Sequence, residues 1–238
     1  MKPVRLEEYL TSQTTLSRRK VLALINQSQI TVNGAIATSL AMPVKAGKDR
    51  IRVNSQEVLH QTPYLYYKFH KPKGVLSTLD DPEGRKCLKG FLESLGKPVS
   101  PVGRLDRKTQ GLIIFTNDGE LANRITHPQW KVSKTYVVIL DKPITQAHEQ
   151  RLKSGLFLDD GPAHVTQLET LETTTYRVSV TEGRNRLIRR LFEHLGYEVC
   201  HLKRLQIGPL VLGTLQVGKF KALSAHEVRL LKRLVELS

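Results

Sequence analysis

The feature that most limits the fold of this chain is a short apolar run enclosed by turn-forming residues. Residues 112–115 are all apolar, and they lie between Gly111 and Asn117-Asp118-Gly119. Consecutive apolar residues between turn signals predict a buried strand. Asp118 is suited to cap a helix that follows this strand. The polar segment 103–109, directly ahead of the run, must then be a loop that a rigid strand anchors.

Strand patterns outnumber helix patterns from residue 64 onward. The predicted strands carry β-branched, aromatic or apolar residues between turn signals. They do not alternate regularly with helices, as the strands of a doubly wound fold do, so we expect an α+β domain built on a mainly antiparallel sheet. The expected strands are 64–69, 75–77, 112–116, 135–140, 176–180 and 199–202, and the expected helices are 120–126, 145–154, 187–195 and 225–236.

Two domains are expected from the length of the chain and from the change of pattern along it. A chain of 238 residues with 39% hydrophobic content is long enough for one substantial core or two small ones. The segment 1–58 has helix and strand patterns of its own. Residues 59–63 are the expected linker, and residues 64–238 form the strand-rich domain.

The N-terminal segment begins with two predicted helices. The first starts at Arg5, and the second is opened by Ser17, whose hydroxyl suits an N-cap. Arg18, Arg19 and Lys20 fill the first turn of the second helix, where positive charges oppose the helix dipole. Either a solvated charged turn or contact with phosphate groups explains this placement. Short strands are expected near residues 30–32, 44 and 51–53, with a hairpin turn at Asn33-Gly34.

The chain carries a large surplus of positive charge, with 37 Lys and Arg against 22 Asp and Glu. We therefore expect a polyanionic partner, nucleic acid ahead of an acidic membrane surface, and salt-dependent binding. No apolar run approaches the roughly 20 residues that span a bilayer. The first residues lack the apolar core of a signal peptide. A cytoplasmic protein that binds no membrane is the expectation, with a monomer as the default state.

No metal or cofactor site is predicted. Cys87 and Cys200 are too few for a four-cysteine zinc site or a disulfide scaffold, and the eight histidines show no ligand spacing. Asp80-Asp81 and Asp159-Asp160 are interpreted as turns. The segment Lys71-Pro72-Lys73-Gly74 lacks the spacing of a nucleotide-binding phosphate loop, and no dinucleotide-binding motif occurs.

One carboxylate in the loop 103–109 is the leading candidate for chemistry. Asp106 is flanked by Arg104, Arg107 and Lys108. These cations favour its ionised form, which suits a nucleophile, a base or an ion-pair partner. Aspartate is also a common turn residue, and on spacing alone a role in capping or closing a turn is the more usual one.

A longer match favours a catalytic role for this loop. The segment Gly103-Arg104-Leu105-Asp106 resembles the central motif of the pseudouridine synthases, in particular the bacterial ribosomal RNA branch typified by RsuA. Three further segments occur in the family's order, at 70–74, at Lys134-Thr135-Tyr136 and at 182–190. The resemblance implies a catalytic domain on a mixed, mainly antiparallel sheet. It also implies an isomerase that converts a uridine of ribosomal RNA to pseudouridine without a cofactor.

The N-terminal segment resembles a second known unit, the small RNA-binding domain first recognised in a small-subunit ribosomal protein, here called the S-four-type domain. The similarity rests on Arg5-Leu6, Ser17-Arg18-Arg19, Val32-Asn33-Gly34 and Asp49-Arg50-Ile51. It implies a small α/β domain ahead of the catalytic domain, an order common in the RsuA branch, and favours phosphate contact for the basic turn. The implied RNA-binding residues are Arg5, Ser17, Arg18, Arg19 and Lys20.

The family resemblance also implies roles at the reaction centre. Asp106 matches the catalytic aspartate, which acts at the ribose by covalent attack or by proton abstraction. Tyr136 matches a tyrosine whose ring can stack on the extruded uracil. Arg189 matches a basic residue that keeps the aspartate ionised and in position.

Three more residues are expected to contact the substrate. Arg104 either fills the space left by the flipped base or hydrogen-bonds to the loop backbone. Leu187 stands where related sequences often have glutamine, which removes a polar contact. Ile188 can wall the uracil pocket, although core packing is the more common role for such a residue.

Two other functions remain open at this point. A non-catalytic ribosome assembly factor would bind ribosomal RNA through the same basic surface, and a synthase acting on transfer RNA would use the same chemistry. The S-four-type resemblance and the Gly103-Arg104-Leu105-Asp106 form disfavour transfer RNA. The segments 118–124 and 182–186 resemble the large-subunit group, so the expected partner is 23S rather than 16S ribosomal RNA, or a ribosomal assembly particle.

Overall fold

A computed structural model describes residues 3–14, 16–58 and 63–237. Helices and strands alternate irregularly within these ranges. The helices are α1 (Leu6–Gln13), α2 (Arg18–Asn26), α3 (Lys89–Leu95), α4 (Gly119–Thr126), α5 (Gln146–Ser154), α6 (Leu187–His194) and α7 (Ala225–Leu234). The strands are β1 (Val4–Arg5), β2 (Ile30–Val32), β3 (Ala35–Ile36), β4 (Pro43–Val44), β5 (Ile51–Val53), β6 (Gln56–Glu57), β7 (Tyr66–Lys71), β8 (Ser100–Val102), β9 (Gln110–Thr116), β10 (Lys134–Leu140), β11 (Leu156–Leu158), β12 (Gly161–Ala163), β13 (Gln167–Glu172), β14 (Thr175–Val180), β15 (Val199–Ile207), β16 (Leu210–Val211) and β17 (Phe220–Ala222).

The N-terminal part packs around a small core of its own. Its sheet has the order β3-β2-β5-β6, and β1 pairs separately with β4. Side chains from α1, α2 and these strands share one buried cluster that includes Leu10, Val21 and Ile51. Asn33 and Gly34 join β2 to β3 with φ angles of 53° and 88°. Positive φ at both positions is what a type I′ hairpin turn requires, as the sequence predicts.

A nine-stranded sheet organises the rest of the described chain. Its main path runs β13-β14-β10-β15-β9-β7-β17, with β16 beside β15 and β8 beside β9. The pairs along this sheet are antiparallel except for β9 and β15, which run parallel through Gln110–Lys203 and Gly111–Arg204. The sheet is therefore mixed and mainly antiparallel, and the α+β expectation is confirmed.

Strand β9 is buried on both faces of this sheet. Ile113 and Phe115 belong to one hydrophobic cluster, whereas Leu112 and Ile114 belong to another on the opposite face. Asp118 follows the strand and caps α4, because its carboxylate accepts the backbone N–H of Leu121 over 3.0 Å. The apolar run and the turn after it behave as their sequence predicts, and the loop before them is anchored to the centre of the domain.

The prediction of a strand at 75–77 is wrong. Within this segment only Leu76 forms an isolated bridge, with Cys87. The chain turns at Gly74, whose backbone N–H donates to the carbonyl of Arg107 over 2.7 Å. The backbone of Leu76 bonds to Lys86 and Leu88 instead of extending the sheet. Helix α3 and the polar edge strand β13 are further elements that the sequence does not predict.

Asn117 joins the N-terminal part to the large sheet. Its side chain is 5% exposed. The amide oxygen accepts the backbone N–H of Leu65 over 2.7 Å, and the amide nitrogen donates to the carbonyls of Ser12 at 3.0 Å and Pro63 at 3.3 Å. One buried side chain thus ties α1 to the end of β9. Of the expected linker 59–63, residues 59–62 lie outside the described residues.

No helix in the described ranges is long and apolar enough to cross a membrane.

Candidate active site

A cavity of about 210 Å³ opens beside the loop 103–109. The loop forms one side of the cavity, and the facing strands β10 and β15 and the start of α6 form the others. The side chains that matter for chemistry at its walls are Arg104, Asp106, Lys134, Tyr136, Leu187, Ile188 and Arg204. Five of the residues singled out by the sequence therefore meet in one place.

Asp106 presents a free carboxylate to this cavity. Among the described residues, no group forms a hydrogen bond or an ion pair with its side chain; only its backbone carbonyl is engaged, by the N–H of Thr109 at 3.0 Å. The loop is instead held from behind by Ser77, whose hydroxyl donates to the carbonyl of Leu105 at 2.7 Å and accepts its N–H at 3.0 Å. The carboxylate is thus not used to close the turn, which leaves it available for a substrate.

Two cations support the loop from its buried side. Lys71 is fully buried, and its ammonium donates to the carbonyls of Pro72 at 2.9 Å and Thr109 at 2.8 Å. Burial lowers the pKa of Lys71 to about 8, and the attraction of Asp106 opposes that shift. A charge buried in this way is unfavourable unless it is hydrogen-bonded or paired. The carbonyl of Thr109 supplies one of these hydrogen bonds, so Lys71 holds the end of the loop 103–109 in place.

Arg189 acts on the loop backbone rather than lining the cavity. Its guanidinium donates to the carbonyls of Val199 at 2.8 Å and Lys108 at 3.3 Å. Burial lowers the pKa of Arg189, and the charge of Asp106 opposes the change. The residue lies close enough to attract the carboxylate, yet within the described chain it forms no ion pair with it. Its geometry is that of a positioning residue.

The buried charge of Lys71 predicts a pH-dependent stability. The pKa of Lys71 is about 8 in the folded protein against 10.5 for an ordinary lysine, so the unfolded chain binds more protons between these values. We expect the free energy of unfolding to rise as the pH increases from about 7.5 to 9, by up to about 1.4 kcal/mol per pH unit for this group. Urea unfolding at several pH values measures the slope.

Lys71→Met should reduce that slope, whatever it does to the stability itself, because the variant has no proton to lose at this position. Lys89→Met is the matched control, since Lys89 is exposed at the start of α3. Equal slopes in wild type and Lys71→Met would contradict the assignment of the shift to Lys71.

Tyr136 and Lys134 face the cavity from the same strand. They are two residues apart on β10, and side chains at this spacing share a face of the sheet. Thr135 points the other way, where its hydroxyl lies 2.9 Å from the hydroxyl of Ser179. Tyr136 is 9% exposed, so its ring forms part of the cavity wall.

The remaining predicted substrate residues also line the cavity. Leu187 and Ile188 are each 4% exposed at the start of α6, and they belong both to the cavity wall and to the main core. Arg104 is exposed and lines both this cavity and a neighbouring groove. Its guanidinium forms no hydrogen bond to the loop backbone in the part of the chain that the structure describes. The structural alternative for Arg104 is therefore absent in this geometry.

Lys134 and Arg204 are cavity residues that the sequence analysis did not select. Lys134 belongs to the motif that drew attention to Tyr136, and strand alternation alone was enough to place it on the same face. Arg204 carried no such signal, because its position depends on the pairing of β15 with β10, which puts it opposite Tyr136.

The five N-terminal RNA-binding candidates do not line this cavity. Ser17 caps α2, accepting the backbone N–H of Lys20 at 3.3 Å. Arg18 pairs with Glu7 at 2.6 Å, and it lies with Arg5 in a cleft between α1 and α4. Arg18, Arg19 and Lys20 are exposed. They form a basic edge at the start of α2.

The acidic pairs that were interpreted as turns have arginine partners. Asp81 binds Arg85 at 2.8 Å, and Asp160 binds both Arg184 at 2.7 Å and Arg190 at 2.8 Å. Within residues 3–14, 16–58 and 63–237, no cluster of His, Cys, Asp or Glu side chains could hold a metal ion.

Comparison with known proteins places this architecture among RNA-modifying enzymes. Residues 65–194 match the family model described as RNA pseudouridylate synthase. A ribosomal large subunit pseudouridine synthase B of Bacillus subtilis is 35% identical over 98% of this chain and 97% of that protein. An uncharacterized RNA pseudouridine synthase of Aquifex aeolicus is 36% identical over 100% of this chain and 97% of its own length. A crystal structure of a pseudouridylate synthase superposes with a TM-score of 0.69 at 29% identity, over 96% of this chain and 99% of that one.

Proposed function

Since this chain belongs to the RNA pseudouridylate synthase family, we propose that it converts a specific uridine of ribosomal RNA to pseudouridine. The chain is an isomerase that acts on RNA. The observation that carries the proposal is the unpaired carboxylate of Asp106 in a cavity whose walls include Tyr136, Lys134 and Arg204. The choice of ribosomal RNA is supported by the large-subunit relative from Bacillus subtilis and by the basic charge of the chain.

The proposed chemistry begins at the ribose of the flipped uridine. The bond between N1 and C1′ breaks, the uracil turns, and C5 then bonds to C1′ and loses its proton. Asp106 either attacks C1′ or removes the proton from C2′. Tyr136 stacks on the uracil and assists the proton transfer at C5. Arg189 keeps the loop of Asp106 in position through the carbonyl of Lys108.

The cavity walls supply the remaining parts of the proposal. Leu187 and Ile188 give the uracil an apolar surface, which favours a base over water in the pocket. Extruding a base from folded RNA costs a few kcal/mol, and Arg104 offsets part of this cost by filling the vacated space. Its exposure beside the cavity supports this role, as does the absence of a hydrogen bond from its guanidinium to the loop backbone among the described residues.

The N-terminal part is proposed to be an S-four-type RNA-binding domain over 1–58, joined by the linker 59–63 to a catalytic domain over 64–238. Arg5, Arg18, Arg19 and Lys20 would contact phosphates, and Ser17 would present them by capping α2. We propose further that the protein works as a cytoplasmic monomer without a cofactor. Its partner is 23S rather than 16S ribosomal RNA, free or in an assembly particle.

Tritium release tests the reaction and the substrate together, because C5 loses its hydrogen when pseudouridine forms. Unmodified 23S and 16S transcripts carrying tritium at uridine C5, and a partly assembled large-subunit particle, are incubated with the protein or with heat-inactivated protein. We expect release from the 23S transcript or the large-subunit particle alone. Tight binding without release from any of the three substrates would overturn the proposal in favour of a non-catalytic assembly factor.

A further inference from the structure

We infer that Lys134 and Arg204 form a cationic wall that stabilises the uracil anion released when the bond between N1 and C1′ breaks. This inference rests on the proposed function and adds two substrate-contacting residues to it. Both residues line the cavity that Asp106 faces. Neither serves to hold the loop of Asp106, a task that falls to Lys71 and Arg189.

The strand register brings these two cations together beside the ring of Tyr136. Lys134 precedes Tyr136 by two residues on β10, and Arg204 is the Cα partner of Tyr136 on β15. The register shifts between Thr135 and Tyr136, and the side chains of Tyr136 and Arg204 line the same cavity. A uracil stacked on Tyr136 would therefore have Lys134 beside it on β10 and Arg204 beside it on β15.

Arg204 has hydrogen-bonding capacity that the described protein does not use. The residue is 5% exposed, and its Nε donates to the carbonyl of Leu112 at 2.7 Å. Its Nη2 is buried without a hydrogen-bond partner among the residues that the structure describes. An unsatisfied buried donor is unfavourable, and more so when it is charged, so an acceptor within reach of the guanidinium would relieve this cost.

Lys134 is similarly short of partners. Its ammonium makes one long contact, 3.4 Å to the carbonyl of Thr181. The charged groups that face it are Arg204 from β15 and Glu182 from the segment after β14. Burial and the repulsion of Arg204 lower the pKa of Lys134 to about 8, against the attraction of Glu182. A half-buried cation beside a buried one is unfavourable by itself, and an anion between them relieves the repulsion.

The reaction creates such an anion. When N1 leaves C1′, the bonding electron pair stays on the uracil and its charge spreads over N1, O2 and O4. C1′ gains a bond to the Asp106 carboxylate, or a double bond to C2′ whose proton passes to Asp106. Uracil is neutral before this step, so the two cations bind the transition state more strongly than the substrate. The benefit should appear in kcat rather than in KM.

Substitution of Lys134 tests the inference with two substrates. Lys134→Met should lower the single-turnover rate on uridine by about 10²–10³-fold with little change in RNA affinity, and Lys134→Arg should restore most of the loss. 5-Fluorouridine leaves as a more stable anion because of its fluorine, so the defect of Lys134→Met should shrink at least about tenfold on RNA that carries it. Consumption of the 5-fluorouridine is followed by nuclease digestion and chromatography.

Matched measurements separate this role from a structural one. Lys203→Met is the control, because Lys203 lies on β15 next to Arg204 but does not line the cavity; its rate should match that of the wild type. Circular dichroism and thermal melting confirm that the variants fold. An equal defect on both substrates, or no defect on uridine, would overturn the inference. Wild-type protein inactive on every ribosomal substrate would instead refute the proposed function.

Discussion

Replacing Asp106 with asparagine is expected to abolish pseudouridine formation, with a fall in rate of at least about 10³-fold. Asparagine has the shape of aspartate but can neither attack C1′ nor accept a proton from C2′. The fold should not change, because the Asp106 carboxylate has no partner among the described residues and the loop is held by Ser77, Lys71 and Arg189. The loss should therefore be confined to the chemical step.

Tritium release measures the reaction rate, and filter binding on the same RNA measures the affinity. The affinity of Asp106→Asn for RNA should stay within about threefold of the wild-type value, since the loss of one negative charge from a chain with so large a positive surplus changes binding only modestly. Asp159→Asn serves as the control: Asp159 is exposed in a turn and lies outside the cavity. Asp106 is not the catalytic carboxylate if its asparagine variant keeps more than about a tenth of the rate.

Gly111→Ala is expected to cost at least about 3 kcal/mol of stability. Gly111 has a φ of 117°, and a β-carbon there would overlap the backbone carbonyl oxygen of Arg204 and would lie 2.5 Å from its backbone nitrogen. Both obstacles are main-chain atoms of a paired strand, which cannot move aside as a flexible side chain would. The variant must therefore weaken the parallel pairing of β9 with β15.

Urea unfolding with a matched alanine control measures this cost. Gly90 lies in α3 with nothing near its missing β-carbon, so Gly90→Ala should raise stability by up to about 1 kcal/mol. Folded Gly111→Ala should also lose activity, since it displaces Arg204 from its place opposite Tyr136. A cost below about 1 kcal/mol at Gly111 would show that the two strands separate easily.

The sequence predicts those structural features of this protein that depend on neighbouring residues. The apolar run 112–115 predicts β9, Asp118 predicts the start of α4, and Asn33-Gly34 predicts a hairpin. Each signal acts within a few residues, where turn chemistry and burial set the backbone directly. Asp106 and Tyr136 were selected differently, through the resemblance of short segments to the pseudouridine synthases, and their catalytic roles remain predictions.

The features that the sequence missed depend on residues far apart. Segment 75–77 has the composition of a strand, but its backbone bonds to residues 86–88 and the side chain of Ser77 supports the loop 103–109. Arg204 reads as one more surface cation in a basic chain, and only the register of β15 against β10 and β9 buries it in the cavity. Arg189 lies in a recognised motif, yet only the structure shows that it holds carbonyl oxygens instead of lining the cavity.

The parallel pairing of β9 with β15 also determines when this protein can become active. Gln110 and Lys203 meet across it although they lie about 90 residues apart in sequence. Closing so long a loop lowers the entropy of the chain before the strand contacts can offset that loss. We therefore expect this pairing to be one of the slow steps of folding. The wall that carries Arg204 does not exist until then. A ribosome must release most of the chain before that chain can act on RNA.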